Sequence, residues 1–527
     1  MNKTITLVIF NEITEFEWSY GKKFSLNYSV NALKKVKPEI LLENSDYILF
    51  WDAKLGNPLE SEMDSIVKSN GDLWHIGATI GVNEAIKLLD FIQPTNMLNV
   101  NVNKDIDHSS WKHTFKGSLM KYNVFKEISL ANYSNSLDTI GLDFGYKAMK
   151  SGVLTRYSSL LTKPVVALDF IDLKKKDELL FIRNNFDKKA FLWCYLLSIF
   201  KISPISFFKA YKKKEKYIEI VYTQKVATND ILKGKDLSVS IVIATLERYD
   251  FLEKELEELK LLGIPVKEII IIDQTPPEKR SKQFLKGFND LPIIYVETDK
   301  IGQCTARNKG IEVAKSKFVW FLDDDMEEIP SDYLEKHLLT IYSLNADVSC
   351  GIPDEIGTDF IDRTVPKVEL SNGFPTNDVL VKRRLLIEVD GFDVKMDQKH
   401  SEDQEIGLRL IKNGVLSVKN NQLRIVHLRA ARGGLRNHNV RKITFASSRR
   451  SVFQRRFLHH SEIYLSLKHF KKTQVSKLLL LNIRGTFVVR GSMVKKIAKV
   501  VFAFLLLPHS LIITYRNLNF GKKMLND

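Results

Sequence analysis

Cysteine is scarce in this 527-residue chain. Cys194, Cys304 and Cys350 stand far apart and in no metal-ligand spacing. That excludes a disulfide framework and a thiolate zinc site, and points to reduced thiols in a cytoplasmic setting. Long apolar runs are missing too. A membrane-spanning helix needs roughly 20 apolar residues in a row, and the apolar start ITLVIF meets acids almost at once, too short for a secretory signal. Acids, finally, are nearly absent from the C-terminal part. From Gly434 to the end, 19 lysines and arginines face only Glu462 and Asp527. The net charge of +16 therefore belongs to that segment, which asks for an anionic partner. Within it, Ile497–Thr514 is apolar except for Lys499, Pro508, His509 and Ser510, and is flanked by Lys495, Lys496 and Arg516. This pattern fits a helix lying in a membrane interface better than one crossing it.

What is present is strand–helix alternation. Ser238–Ile243 reads as a buried strand ending at Ala244-Thr-Leu-Glu-Arg248. A helix follows, with Leu252, Leu256 and Leu259 on one face, Asp250 as its cap and Gly263 and Pro265 as its stop. The strand Glu268–Ile272 ends at Asp273, and a helix then leads to a strand at Pro292–Val296. Gly302 opens the next helix, and Phe318–Leu322 runs into Asp323-Asp-Asp325. Such spacing predicts a parallel α/β sheet, with Thr245, Asp273 and Asp323 brought to one edge, where open sheets bind ligands. Three packed carboxylates repel one another. A hard divalent cation holding a diphosphate would relieve that. Further on, Lys382–Val389 reads as helical, Ser401 and Gln404 as a capping box for a helix with Asp403 in its first turn, and Arg424–Leu428 as a strand carrying His427.

The first 230 residues read as mixed α/β, with strands at ITLVIF and Tyr47–Trp51 and helices near Ser61–Ser69 and Val82–Phe91. Gly145-Tyr-Lys-Ala-Met-Lys-Ser-Gly152 matches Gly407-Leu-Arg-Leu-Ile-Lys-Asn-Gly414 in spacing, and YILFWDAK matches FVWFLDDD. An internal repeat is therefore expected. Lys54 then falls at the place of Asp325, and Ile140-Gly141 at the place of Glu402-Asp403.

The ordered motifs VSIVIATLER, IIIIDQTPP, GQCTARNKG, WFLDDD, GFD, SED and VHL resemble those of inverting family 2 glycosyltransferases with a GT-A fold. The resemblance covers about Leu237 to Arg436. It implies that Thr245 and Glu247 contact nucleotide base and ribose, that Asp273 recognises the base, and that Arg307 lies near ribose and phosphate. Asp323, Asp324 and Asp325 become the donor- and metal-binding acids, Asp325 the direct ligand of Mn²⁺ or Mg²⁺. His427 becomes a further metal ligand, and Asp403 the base that takes the acceptor's proton. Glu402, Arg432 and Arg436 are candidates for acceptor or phosphate contacts. Taken singly, Asp273 could cap a turn, Asp403 could sit at a helix dipole, His427 could be structural and Arg307 a surface charge; their joint order at strand ends speaks for the site.

The Gln-x-x-Arg-Trp motif of processive relatives is missing, so one sugar per acceptor encounter is expected. The expected organisation is a degenerate GT-A-like domain at 1–230, a catalytic domain at 237–440 and a basic helical tail at 441–527. The expected partners are a nucleotide-diphosphate sugar, a glycan or lipid-linked acceptor in cell-surface polysaccharide synthesis, and the anionic inner face of the cell membrane. Two rivals are a sugar-nucleotide nucleotidyltransferase, disfavoured because ATLER stands where a glycine-rich loop belongs, and a nucleic-acid-binding protein, disfavoured by the leucine-rich tail.

Overall fold

The computed structural model describes all residues except 1–2, 13–15, 78–85, 131–135, 166–172, 174, 213–219, 357–362 and 430–449. The chain divides into two compact units. One comprises Met1–Lys225 with Lys367–Leu370 and Ile411–Leu416; the other comprises Val226–Pro366, Ser371–Leu410 and Ser417–Asp527. The segment expected to stand apart as a tail thus belongs, where described, to the second unit.

The sheet of the second unit runs Ile293–Glu297, Glu268–Asp273, Val239–Thr245, Phe318–Asp323, Asp378–Lys382, Val348–Cys350, Ser417–Asn420. The first four strands are mutually parallel. Asp378–Lys382 runs antiparallel to both its neighbours, and the last pair is parallel again. Register sets Thr245 against Asp273 and Asp323 against Ala244, so the polar strand ends do share one edge. One face of the sheet, including Ile241, Ile243, Phe318, Trp320 and Leu322, packs in one core with Leu252, Leu256 and Leu259 of the helix Tyr249–Leu259. The alternation of strand side chains between two faces explains that selection.

Several local expectations shift. Asp250 lies inside the first helical turn, with Arg248 at the cap position. The helix expected after Asp273 is two short 3₁₀ turns, Pro277–Lys279 and Gln283–Gly287, since consecutive prolines remove backbone donors. The helix expected at Val82–Phe91 is a 3₁₀ turn, Lys87–Phe91, its start lying outside the described residues. Ser401 adopts a left-handed φ of 76°, and its hydroxyl meets His400 Nδ1 at 2.9 Å.

The first unit repeats the strand order. Its sheet runs Lys23–Leu26, Ile5–Phe10, Tyr47–Asp52, Gly117–Lys121, Leu73–His75, Thr155–Tyr157, with His108–Ser109 outermost. Strand directions follow the same sequence of parallel, parallel, antiparallel, antiparallel, parallel. Tyr47–Asp52 takes the position that the acidic strand holds in the second unit. In each unit a helix, Leu137–Lys150 or Glu402–Lys412, leads toward the strand that closes this order. Both helices are followed by a glycine at positive φ, Gly152 at 95° and Gly414 at 81°, a conformation that side-chain-bearing residues resist.

Four described helices end the chain: His460–His469, Lys472–Gly485, Met493–Leu505 and Leu507–Asn526. None is long and apolar enough alone to cross a membrane, and the last two form a pair bent by 65°. The apolar run Ile497–Thr514 is split at that bend. Lys499 in it is buried and donates to the carbonyls of Val452 (2.7 Å) and Gln454 (2.6 Å).

Candidate active site

The acidic strand end supplies three carboxylates with different surroundings. After Asp323 the chain turns back, and Met326–Glu327 pairs antiparallel with Val426–His427, Met326 opposite His427. Leu428 N–H also donates to the Asp325 carbonyl at 3.0 Å. This short ladder brings the His427 ring to the acids, its Nε2 at 3.3 Å from Asp325 Oδ1. Donor atoms of Asp323, Asp325 and His427 all lie within 4.8 Å of one another. Two carboxylate oxygens and an imidazole nitrogen suit a divalent ion such as Mn²⁺ or Mg²⁺, with further positions left for ligand oxygens. Burial alone would lower the His427 pKa, but Asp325 and Glu355 raise it to about 10, so the ring would have to release that proton on ligating a cation.

Asp324 points the other way. Its oxygens accept from Thr245 Oγ1 (2.8 Å) and Arg248 Nη1 (2.7 Å), and it is buried. Burial pushes its carboxyl up to about 6 against the pull of Arg248. Thr245 and Asp324, both predicted to meet the donor, thus bind each other. Arg248, 3.7 Å from Asp325 as well, was given no role by the sequence. Its only local signal is a base directly after the first strand loop. Near the trio lies Glu255, fully buried, with neither carboxyl oxygen hydrogen-bonded among the described residues. Burial and the charges of Asp324, Asp325 and Asp323 push its pKa well above the usual range.

Arg307 joins the acidic strand to the second predicted acid pair. Its Nη2 lies 3.2 Å from Asp323 and its Nη1 3.4 Å from Glu402, with the guanidinium largely buried. Glu402 is pushed up to about 7 by burial and by Asp403, with Arg307 opposing. Asp403, half-buried, is raised by burial; it accepts from Gln404 N–H at 2.8 Å and also feels Arg307 and Asp323. The predicted acids from three distant stretches therefore share one electrostatic neighbourhood.

Two predicted donor contacts have internal partners. Asp273 is fully buried and accepts from Tyr249 (2.6 Å), Tyr295 and Thr275 N–H (2.8 Å). Glu247, at a positive φ of 56°, donates its N–H to Thr275 Oγ1 and ion-pairs with Lys279 at 3.0 Å. Arg432 and Arg436 lie outside the described residues. One contributor had no sequence signal: Asp397 caps the helix Gln303–Val313. It accepts from Cys304 N–H (2.8 Å) and Thr305 N–H (3.1 Å), while a Cβ on Gly302 would come within 2.3 Å of its carboxyl carbon.

Residues 240–393 match the family "Glycosyl transferase family 2". EpsH of Bacillus subtilis (strain 168), named as a glycosyltransferase, is 30% identical over 106 residues, which cover 20% of this chain and 30% of that protein. The chain thus matches less than a third of that relative's length. Similar solved structures include the mannosyltransferase PcManGT from Pyrobaculum calidifontis with GDP-Man and Mn²⁺ (14% identity, TM-score 0.36, 56% of this chain and 91% of that one). Another is S. aureus TarS with UDP-GlcNAc (13% identity, TM-score 0.37, 55% and 90%). By the family match, residues 240–393, most of which lie in the second unit, form a family 2 glycosyltransferase domain.

Proposed function

We propose that the second unit moves a sugar from a nucleotide-diphosphate donor to an acceptor hydroxyl, inverting the anomeric centre. The observation that carries this is the convergence of Asp323, Asp325 and His427 within 4.8 Å, with Arg307 bridging from Asp323 to Glu402 beside Asp403. Asp323, Asp325 and His427 would hold Mn²⁺ or Mg²⁺, and a cation there would supply positive charge to offset that on a departing diphosphate. Asp403 accepts the acceptor's proton as its oxygen attacks. A single carboxylate on the acceptor side suits a single displacement. Burial and the charge of Asp323 favour the protonated form of Asp403, which strengthens it as a proton acceptor. Arg307 keeps Glu402 and Asp323 apart in charge. Thr245, Glu247 and Asp273 shape the nucleotide side, Asp273 through the Tyr249–Tyr295 pair it binds.

The first unit is a degenerate copy without catalysis. Lys54 stands where Asp325 would, and Asp52 accepts from Asn11 and from Lys54 N–H. A cation there opposes metal binding. The basic C-terminal helices rest on the anionic inner face of the cell membrane, each exposed base adding about 1 kcal/mol near the surface. The acceptor is a glycan or lipid-linked glycan of cell-surface polysaccharide, extended one sugar at a time.

The test is a screen of nucleotide-sugar hydrolysis with and without Mn²⁺, repeated for Asp325→Ala and Asp403→Asn. Metal-dependent turnover should appear and fall by at least about 100-fold in both variants. Equal activity after chelation overturns the mechanism.

A further inference from the structure

Two helices of the first unit, Lys188–Leu196 and Pro204–Lys212, form a hairpin with two unlike faces. The inner face buries Phe191, Cys194, Ile202 and Ala210, and Phe207 stacks on Phe191 (5.3 Å) and Tyr195 (4.0 Å). The outer face leaves Leu192, Leu196, Ile199, Ile205 and Phe208 exposed, and Phe200 at the turn is 101% exposed. Six large apolar side chains left exposed between Leu192 and Phe208 mark an interaction surface. Five lysines, Lys188, Lys189, Lys201, Lys209 and Lys212, lie exposed among these residues, and no acid occurs from 188 to 212.

The partner must therefore supply an apolar medium and negative charge together. A second copy of this chain would set the same five lysines against one another. A nucleic acid offers charge but little to receive leucine and isoleucine. A bilayer bearing acidic headgroups offers both, charge at the surface and hydrocarbon just below. We infer that this hairpin is a monotopic docking element for an anionic membrane, with Phe200 and its neighbours in the acyl boundary and the lysines among the headgroups. This inference stands apart from the glycosyl-transfer reading and from the C-terminal helices, because it rests on a surface in the other unit.

The experiment uses the full chain and co-sedimentation with vesicles of phosphatidylcholine, with or without phosphatidylglycerol. Three forms are compared: the natural chain, Leu196→Ser/Phe200→Ser/Phe208→Ser, and Ile497→Ser/Phe504→Ser in the C-terminal pair. Since the three hairpin side chains are exposed, circular dichroism and nucleotide-sugar hydrolysis without lipid should not change. The hairpin variant should bind anionic vesicles at least about tenfold more weakly, because each large side chain kept out of hydrocarbon costs roughly that much. A polarity-sensitive dye on Phe200→Cys should shift to the blue with anionic vesicles only. Unchanged partition of the hairpin variant, or an unshifted dye, overturns the inference, whatever the C-terminal variant does. So does self-association of the natural chain that the hairpin variant abolishes, which would make a second copy the occupant.

Discussion

Glu255 shows how much a single residue can hold against the fold. A buried carboxyl without a hydrogen bond costs roughly 1–3 kcal/mol. Its folded pKa stands above its unfolded value, so folding favours the protonated form and stability falls as pH rises above about 4.5. Glu255→Met should raise stability at neutral pH by about 1–3 kcal/mol, and chemical unfolding across pH 4–8 should show that it flattens the decline. Around it, Arg248 pairs with Asp324, and Arg307 with Asp323 and Glu402. The roles of Arg248 and Asp397 were illegible in the sequence because their partners lie far along the chain: Asp324 is 76 residues from Arg248, and Cys304 is 93 from Asp397. The Asp323–Asp325 run was legible because an apolar strand stops in three acids and ordered motifs flank it at other strand ends.

Among elements, the helix His460–His469 has an acid-sensitive seat. Glu405 is buried in contact with Lys468 (2.8 Å), His469 (3.1 Å) and Arg409 (2.6 Å), and Asp393 takes Tyr464 and Lys468 (2.7 Å). Burial alone would raise Glu405, but these partners outweigh it and hold its pKa down to about 2. Its folded pKa lies below the unfolded value of 4.5, so its contribution is full above about 4.5 and vanishes as pH falls toward about 2. The protection of this helix against hydrogen exchange, after correction for the intrinsic exchange rate at each pH, should therefore fall over that window, and Glu405→Gln should show the lower protection already at neutral pH. The sequence set this segment apart as tail because its basic composition is visible, while the two acids that seat it lie before the start of that segment. Alternation placed the parallel strands correctly. It misjudged the stretch after Asp273, where prolines replace a helix by 3₁₀ turns.

At the scale of the whole molecule, two sheets with one strand order carry unequal site chemistry. If the first unit does no catalysis, Asp52→Ala should leave kcat and KM for donor hydrolysis within about twofold of the natural chain, a change smaller than loss of one hydrogen bond at a working site. A fall like that of Asp325→Ala would instead give the first unit a catalytic part. The shared glycine spacing at Gly145–Gly152 and Gly407–Gly414 was legible because the glycine that follows each helix takes positive φ. The order of the short strands was not visible, since two- and three-residue strands leave too little periodicity to read.

Asp397 has one more consequence. The amides at the front of helix Gln303–Val313 already hold a carboxylate, so that helix end has no room left for a phosphate. A diphosphate donor would have to be gripped elsewhere than by these two amides. The same carboxylate staples the segment before Glu402 to the helix that bears Arg307, so prying these two walls apart would strand both amides. These two walls should therefore keep their spacing when a substrate enters.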